Sequence, residues 1–354
     1  MRLAPGSRPR GAGLAVWQNA ATMKLRRAPA IVLASGVAAL MLTIGASAAP
    51  AQLPGEPPPT EPPPPPQNAQ LEVHVEGVKK GRVVVGHAVR VVGTIAPFFE
   101  GQKVEVSLSR GGAAIKDQVV DVKQGKNGEG EFRLKTPRLV EPGDYRGAAK
   151  FEGTPELGGA AAESKSFDIR YPSLHKGDGG HDVSVFNNLL AKQGYATSHG
   201  HKYTKITAWG VLAFRKVHGM SRIQSASSGI FKTLAEGRGA YEVQHPGAGR
   251  HAEVNLAKQV LVLADGDKPQ LTYHISSGAL ATPSDPGGYQ VYRKDPGFNA
   301  IGMYYSSYYH GGEAIHGYHS VPTGPASHGC IRVPIPQAHQ IYNWLQVGTP
   351  VFVY

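Results

Sequence analysis

The spacing of apolar residues changes twice along this chain, and no single sheet or bundle satisfies both periods. From Gln70 to Tyr171 apolar residues alternate in short runs. Leu71, Val73 and Val75 form one, Val104, Val106 and Leu108 another, and the pairs Phe132/Leu134 and Phe167/Ile169 repeat the pattern. A period of two puts every second side chain on one face of a strand. Turn residues separate the runs, as at Lys126-Asn127-Gly128 and Glu141-Pro142-Gly143-Asp144. About eight short strands of this kind predict a β-sandwich over residues 70–171. The period then becomes helical. Val183, Phe186, Leu189 and Leu190 mark one amphipathic helix; Trp209, Leu212, Ala213 and Phe214 a second; Ile230, Phe231 and Leu234 a third. A small α-helical module over residues 172–240 follows. Residues 250–354 return to strands, with Glu253–Leu256 and Gln259–Leu263 alternating, a hairpin turn at Asp265-Gly266-Asp267, a returning strand over Leu271–Ser276 and a closing one at Gly348–Tyr354. One short helix is marked by Ala338, Ile341, Tyr342 and Leu345, and its His339 is read as packing or solvent-facing.

The chain is therefore multidomain, and what precedes the first strand sets its compartment. Ala28 to Ile44 is a 17-residue apolar stretch, preceded by Lys24, Arg26 and Arg27 and followed by Ala46-Ser47-Ala48. That order predicts a secretory signal over residues 1–48, cleaved after Ala48 or retained as a membrane anchor. Residues 49–69 are proline-rich, with Pro62 to Pro66 uninterrupted, and form a semi-rigid spacer. Six of the 37 Lys and Arg lie before Ala48 and none of the 26 acidic residues does, so the net charge falls from +11 to +5 beyond it. No basic cluster interleaves with aromatics, which argues against a nucleic-acid partner. An exported chain normally pairs its cysteines, and this one has a single cysteine, Cys330.

The chemistry lies around that cysteine, in Ile315-His316-Gly317-Tyr318-His319 and Ser327-His328-Gly329-Cys330-Ile331-Arg332. A nearby imidazole lowers a thiol's pKa and carries protons between steps. Gly329 lets backbone approach a substrate carbonyl, and the N–H groups of Gly329 and Cys330 are candidate oxyanion donors. Arg332 suits bidentate capture of a carboxylate better than lysine would. Thiol, base, backbone donors and anion clamp together describe acyl transfer.

These residues closely resemble the signature of the L,D-transpeptidases, cysteine enzymes of bacterial peptidoglycan: His-Gly, a loop, then Ser/Thr-His-Gly-Cys, a short apolar residue and Arg or Asn. Supporting matches are Ile275-Ser276-Ser277-Gly278, Thr282-Pro283, Gly287-Gly288 and Met303-Tyr304-Tyr305. The resemblance covers residues 250–354 and implies a mainly β catalytic domain needing no cofactor or metal. It also implies a thioester on Cys330, a tetrapeptide stem as donor, and a cross-link between third-position residues in cell-wall biogenesis. Cys330 is then the nucleophile and His316 the base. The Gly317 carbonyl orients the imidazole, and Tyr304, Ser327, His328 and Arg332 shape the donor pocket. Only 13 residues separate His316 from Cys330, short for the family. His310 and His319 stand close by, and His328 is the second candidate base, sharing the Cys330 face if that segment is extended. The helical segment resembles the small peptidoglycan-binding module of wall enzymes through Leu174-His175-Lys176-Gly177-Asp178, Leu190–Tyr195 and Val211–Lys216. It departs at Arg215, where glutamine is usual, and in the loop holding His199 and His201. The sandwich resembles immunoglobulin-like modules of surface proteins, without their cysteine pair, and is read as a spacer.

A metal site built from His310, His316, His319, His328 and Cys330 is disfavoured by the absence of structural-zinc spacing and by the Arg332 cation. Papain-like endopeptidases place Cys before His, and sortase-like enzymes need a distant His. A non-catalytic wall-binding protein leaves the intact His, Gly, Cys and Arg set unexplained. Three alternatives share the same site: L,D-carboxypeptidase action on water, attachment of a protein to peptidoglycan, and transfer to a free D-amino acid. The partners expected are stem peptides and glycan outside the cytoplasm, with membrane contact only through the N-terminal segment. Cys330→Ser should abolish turnover, because a hydroxyl is not ionised by the same imidazole, and Cys330→Ala should do so with folding intact. Turnover retained in either variant, followed by product mass, would remove the thiol from the mechanism.

Overall fold

The computed structural model describes residues 67–354. The expected export signal and nearly all of the proline-rich spacer lie outside the described residues. Gln67–Asn68, placed at the end of that spacer, pairs in parallel with Leu157–Gly158.

The alternating segments build two four-stranded antiparallel sheets. One orders Gln70–Glu76, Ala88–Ala96, Gly130–Arg138 and Lys123–Gln124; the other orders Ala160–Glu163, Tyr145–Phe151, Lys103–Arg110 and Ala113–Asp121. Burial alternates along Gly130–Arg138 and Tyr145–Phe151, so Phe132, Leu134, Tyr145, Ala149 and Phe151 face inward with Val91, Ile95, Val104, Val106 and Leu108. The inward stripes of both sheets share one core.

Three helices follow: α1 (His181–Lys192), α2 (Lys205–Val217) and α3 (Ser228–Ala235). Thr204 Oγ1 caps α2 by accepting from the Ile206 and Thr207 amides, and Ser227 Oγ caps α3 by accepting from Ile230 N. Phe186 of α1 is fully buried against Phe231, ring centroids 5.1 Å apart and edge-to-face, with Tyr203 on its other side. The loop carrying His199 and His201 is closed by buried Asn187, whose Nδ2 donates to Gly200 O at 3.0 Å and to Lys202 O. Arg215 is buried, and its Nε donates to Ser225 O at 2.8 Å, tying down the chain after α2.

The C-terminal segment forms two sheets. Five strands run in the order Lys268–His274, Val260–Asp265, Arg250–Asn255, Pro350–Val353 and Gly287–Gln290. Four more run Arg293–Phe298, Tyr304–His310, Glu313–Tyr318 and Ile331–Pro334, with α4 (Ile335–Trp344) packed across them through Ala338 and Ile341. His339 on α4 is exposed and meets Tyr305 edge-on. The alternation expected of Val260–Leu263 is not seen in burial. Val260 to Ala264 is buried throughout, because Leu261 and Leu263 face the core of the C-terminal segment while Val260, Val262 and Ala264 join the core of the helical module. Helices and C-terminal sheet thus share a hydrophobic boundary.

Phe186→Ala should destabilise the fold by about 3–5 kcal/mol, since a fully buried ring leaves a cavity among Tyr203 and Phe231. A lowered chemical denaturation midpoint checks this; an unchanged midpoint would mean that the helical core contributes nothing to the cooperative unit.

Candidate active site

A parallel pairing of two strands brings the predicted residues together. Glu313–Tyr318 pairs with Ile331–Pro334 so that Ile315 lies opposite Ile331 and His316 opposite Arg332. Successive side chains point to opposite faces. Ile315, Ile331 and Val333 therefore fill the core, while His316 and Arg332 project from the other face. Cys330 precedes Arg332 by two residues and packs on that second face with Met303, Tyr308 and Ala314.

The imidazole of His316 is buried, and its Nδ1 donates to Gly317 O at 2.9 Å. That bond assigns the proton to Nδ1 and leaves Nε2, which has no hydrogen-bond partner among the described residues, as an acceptor. Burial pushes His316 down to about 4, the Gly317 bond opposing it and Arg332 adding to it, so the ring is neutral at ordinary pH. A Cβ on Gly317 would stand 2.7 Å from the Ala338 Cβ, so glycine lets α4 press against the strand that carries His316.

The thiol is not the activated one expected from the sequence. Burial pushes Cys330 up; the Ala314 N–H and Arg332 lower it, and the Glu313 carboxylate raises it. His316 cannot offset this, because its own burial keeps it uncharged. The resting pair is thiol and neutral imidazole. The thiol is directed at Gly312 O, 3.8 Å away, and among the described residues no hydrogen bond joins it to His316.

The remaining predicted residues divide by position. Ser327 is buried, and its Oγ donates to Cys330 O at 2.6 Å. Arg332 Nη1 donates to Ala326 O at 3.1 Å while its guanidinium lies 4.2 Å over the Tyr318 ring. Tyr304 sits opposite Gly317 on the neighbouring strand and touches Phe298 and Tyr305. His328 is exposed at a turn made by Gly329 (φ +109°), so the segment is not extended there and the argument for a shared face fails. Among the described residues, no hydrogen bond engages the Gly329 or Cys330 N–H. His310 pairs with Asp285 at 3.3 Å and stacks on Tyr289, while exposed His319 packs on Tyr318.

Other residues enter that sequence reasoning passed over. Glu313 accepts from Tyr309 OH at 2.8 Å and from Asp285 N at 3.1 Å, and its Oε1 would lie 2.9 Å from a Cβ on Gly329. Ser284 Oγ donates to Gly329 O and accepts from Gly278 N. Thr282 Oγ1 donates to Ser327 O at 2.9 Å. Their signal lay in their position beside quoted motifs: Glu313 three residues before His316, and Ser284 just beyond Thr282-Pro283. Among the described residues, no three His, Cys, Asp or Glu side chains are placed to hold a metal ion.

What fold and site define together is a thiol-centred site on a mainly β domain. Residues 249–353 match the family model described as YkuD, the L,D-transpeptidase catalytic domain, and this stretch is such a domain. Among solved structures, an L,D-transpeptidase from Xylanimonas cellulosilytica is similar at 26% identity, covering 52% of this chain and 98% of that one, with TM-score 0.47. The catalytic domain of an L,D-transpeptidase from Enterococcus faecium matches at 26% identity over 30% of this chain and 98% of its own, TM-score 0.27. An L,D-transpeptidase from Mycobacterium smegmatis matches at 13% over 80% of this chain and 99% of its own, TM-score 0.28. No curated protein matches the chain.

Two pH effects follow. Activity that needs a neutral His316 should be lost as pH falls through about 4, not near 6.5, because the ring is protonated only below its lowered pKa. Labelling of Cys330 by iodoacetamide should be slow at neutral pH and rise in the alkaline range, and Glu313→Gln should speed it a few-fold by removing a negative charge near the sulfur. Mass spectrometry gives the rates; maximal labelling already at pH 7 would mean a preformed thiolate.

Proposed function

We propose that this chain is an exported peptidoglycan L,D-transpeptidase that cross-links third-position residues of stem peptides through a thioester on Cys330. The observation that carries this reading is the pairing of His316 with Arg332, with Cys330 two residues before Arg332 on the same face and His316 Nε2 left free. As the thiol attacks the carbonyl of the third residue of a tetrapeptide, its proton passes to Nε2, so thiolate and imidazolium form only in the reacting complex. The oxyanion is held by the Gly329 and Cys330 N–H groups. Collapse breaks the amide bond, and the imidazolium gives its proton to the departing D-alanine amine. A side-chain amine of a second stem then attacks the thioester, His316 takes its proton, and the thiol is restored.

Arg332 recognises a carboxylate on the stem, its guanidinium already oriented by the Tyr318 ring and Ala326 O. Ser327 fixes the Cys330 carbonyl and hence the turn bearing the nucleophile. The helical module is read as a peptidoglycan-binding one and the sandwich as a spacer, which suits a site working on the wall outside the cytoplasm. Among the described residues, no helix is long and apolar enough to cross a membrane.

The donor decides the matter. The protein from Ala49 onward, mixed with disaccharide-tetrapeptide, should gain on Cys330 the mass of the stem minus D-alanine and release a cross-linked dimer. Tripeptide alone would make it a carboxypeptidase. Reaction with pentapeptide only, or no adduct on Cys330, would remove the substrate assignment.

A further inference from the structure

The loop from His319 to Cys330 is held from outside the catalytic domain. Lys216, near the end of α2, is 3% exposed. Its Nζ donates to Gln259 O at 3.0 Å, to Ile275 O at 2.9 Å and to His274 Nδ1 at 2.8 Å. His274 Nε2 in turn donates to Val321 O at 3.1 Å. Burial keeps His274 neutral, pushing it down to about 3 with Lys216 adding to the effect, so its one proton serves Val321 and its other nitrogen accepts from Lys216. Burial, reinforced by Arg222, also pushes Lys216 down to about 6; the three acceptors oppose that loss, because a neutral amine has only two protons for them. Arg222, also in the helical module, donates to Thr323 O at 2.7 Å and to Ala257 O at 3.3 Å.

The backbone that Lys216 grips is the one that seats the nucleophile. Ile275 leads into Ser276, which exchanges both backbone hydrogen bonds with Arg332 at 3.0 and 2.9 Å. Gln259 Oε1 accepts from Ser277 N, and Ser277 O accepts from Ala326 and Ser327. The contact is continued by backbone, since Thr272 N donates to Gly194 O and Ala196 N to Thr272 O. Gly194 itself has φ +79°, and a Cβ there would lie 2.6 Å from Pro269 O, so the modules meet backbone to backbone.

We propose that Lys216 and Arg222 are positioning residues of the active site: the helical module is a working part of the catalytic unit, fastening the Val321–Ser327 loop so that Cys330 and Arg332 are held against His316. The kinetic part of this inference rests on the transpeptidase reading; the structural part does not. A module that only tethered the enzyme to the wall would need no buried lysine reaching into the other domain.

The test uses the protein from Ala49 onward with Lys216→Met, Arg222→Ala and Arg222→Lys. Lys216→Met keeps the stem and removes the donors. Arg222 is exposed, so its variants read the same loop without a core change. Expected are faster amide hydrogen exchange in residues 319–330 and a kcat lower by roughly 10- to 100-fold, with KM within about threefold, for Lys216→Met and to a lesser degree for Arg222→Ala. Arg222→Lys should recover part of the loss. Unchanged exchange and kcat in Arg222→Ala, together with either unchanged values or failure to fold in Lys216→Met, would overturn the proposal. Faster exchange in a protein that never acts on tetrapeptide would sink the substrate assignment and leave the fastening role standing.

Discussion

The site depends on a parallel strand pair joined without a helix. Parallel neighbours need a crossover of a dozen or more residues, and a helix usually supplies it while satisfying its own backbone groups. Here Tyr318 and Ile331 are joined by 12 residues of irregular chain, His319 to Cys330. Such a segment has to place its N–H and C=O groups elsewhere. It does so on Ser276 and Ser277 from one side, on Thr282 and Ser284 from another, and on His274 and Arg222 at its outer turn. Cys330 stands at the end of this loop, so its position is the sum of those attachments.

Burial also sets the protonation states at the site. Desolvation is the first cause acting on His316 and Cys330 alike, and it favours the neutral form of each. Each group is therefore uncharged at rest, the imidazole buried and the thiol half-buried. Arg332 lowers the pKa of both groups, and Glu313 raises that of the thiol alone. The carboxylate is held in place by Tyr309 and the Asp285 amide.

The helical module and the catalytic sheet are joined by apolar and polar contacts at once. Val260, Val262 and Ala264 give one face of a strand to the helical core, and Lys216 crosses the same boundary to three acceptors. An apolar boundary with one fully bonded amine through it resists sliding, because displacement would leave buried acceptors without a donor.

By itself the sequence determined where strands give way to helices and return, through its changes of period, and it set a lone cysteine within a dense motif. Local patterns suffice for such features: alternation follows from strand geometry, and Ser-His-Gly-Cys-Ile-Arg carries its residues within six positions. The tertiary structure decided which histidine faces the thiol side, since only strand register puts His316 opposite Arg332 and only the Gly329 turn exposes His328. It also decided the charge state of the site, because desolvation depends on what packs around a group and not on its neighbours in the chain. The third decision was the link between Lys216 and Val321. These two residues lie about a hundred positions apart, and no periodicity marks a lysine whose partners are backbone carbonyls and a ring nitrogen of another domain.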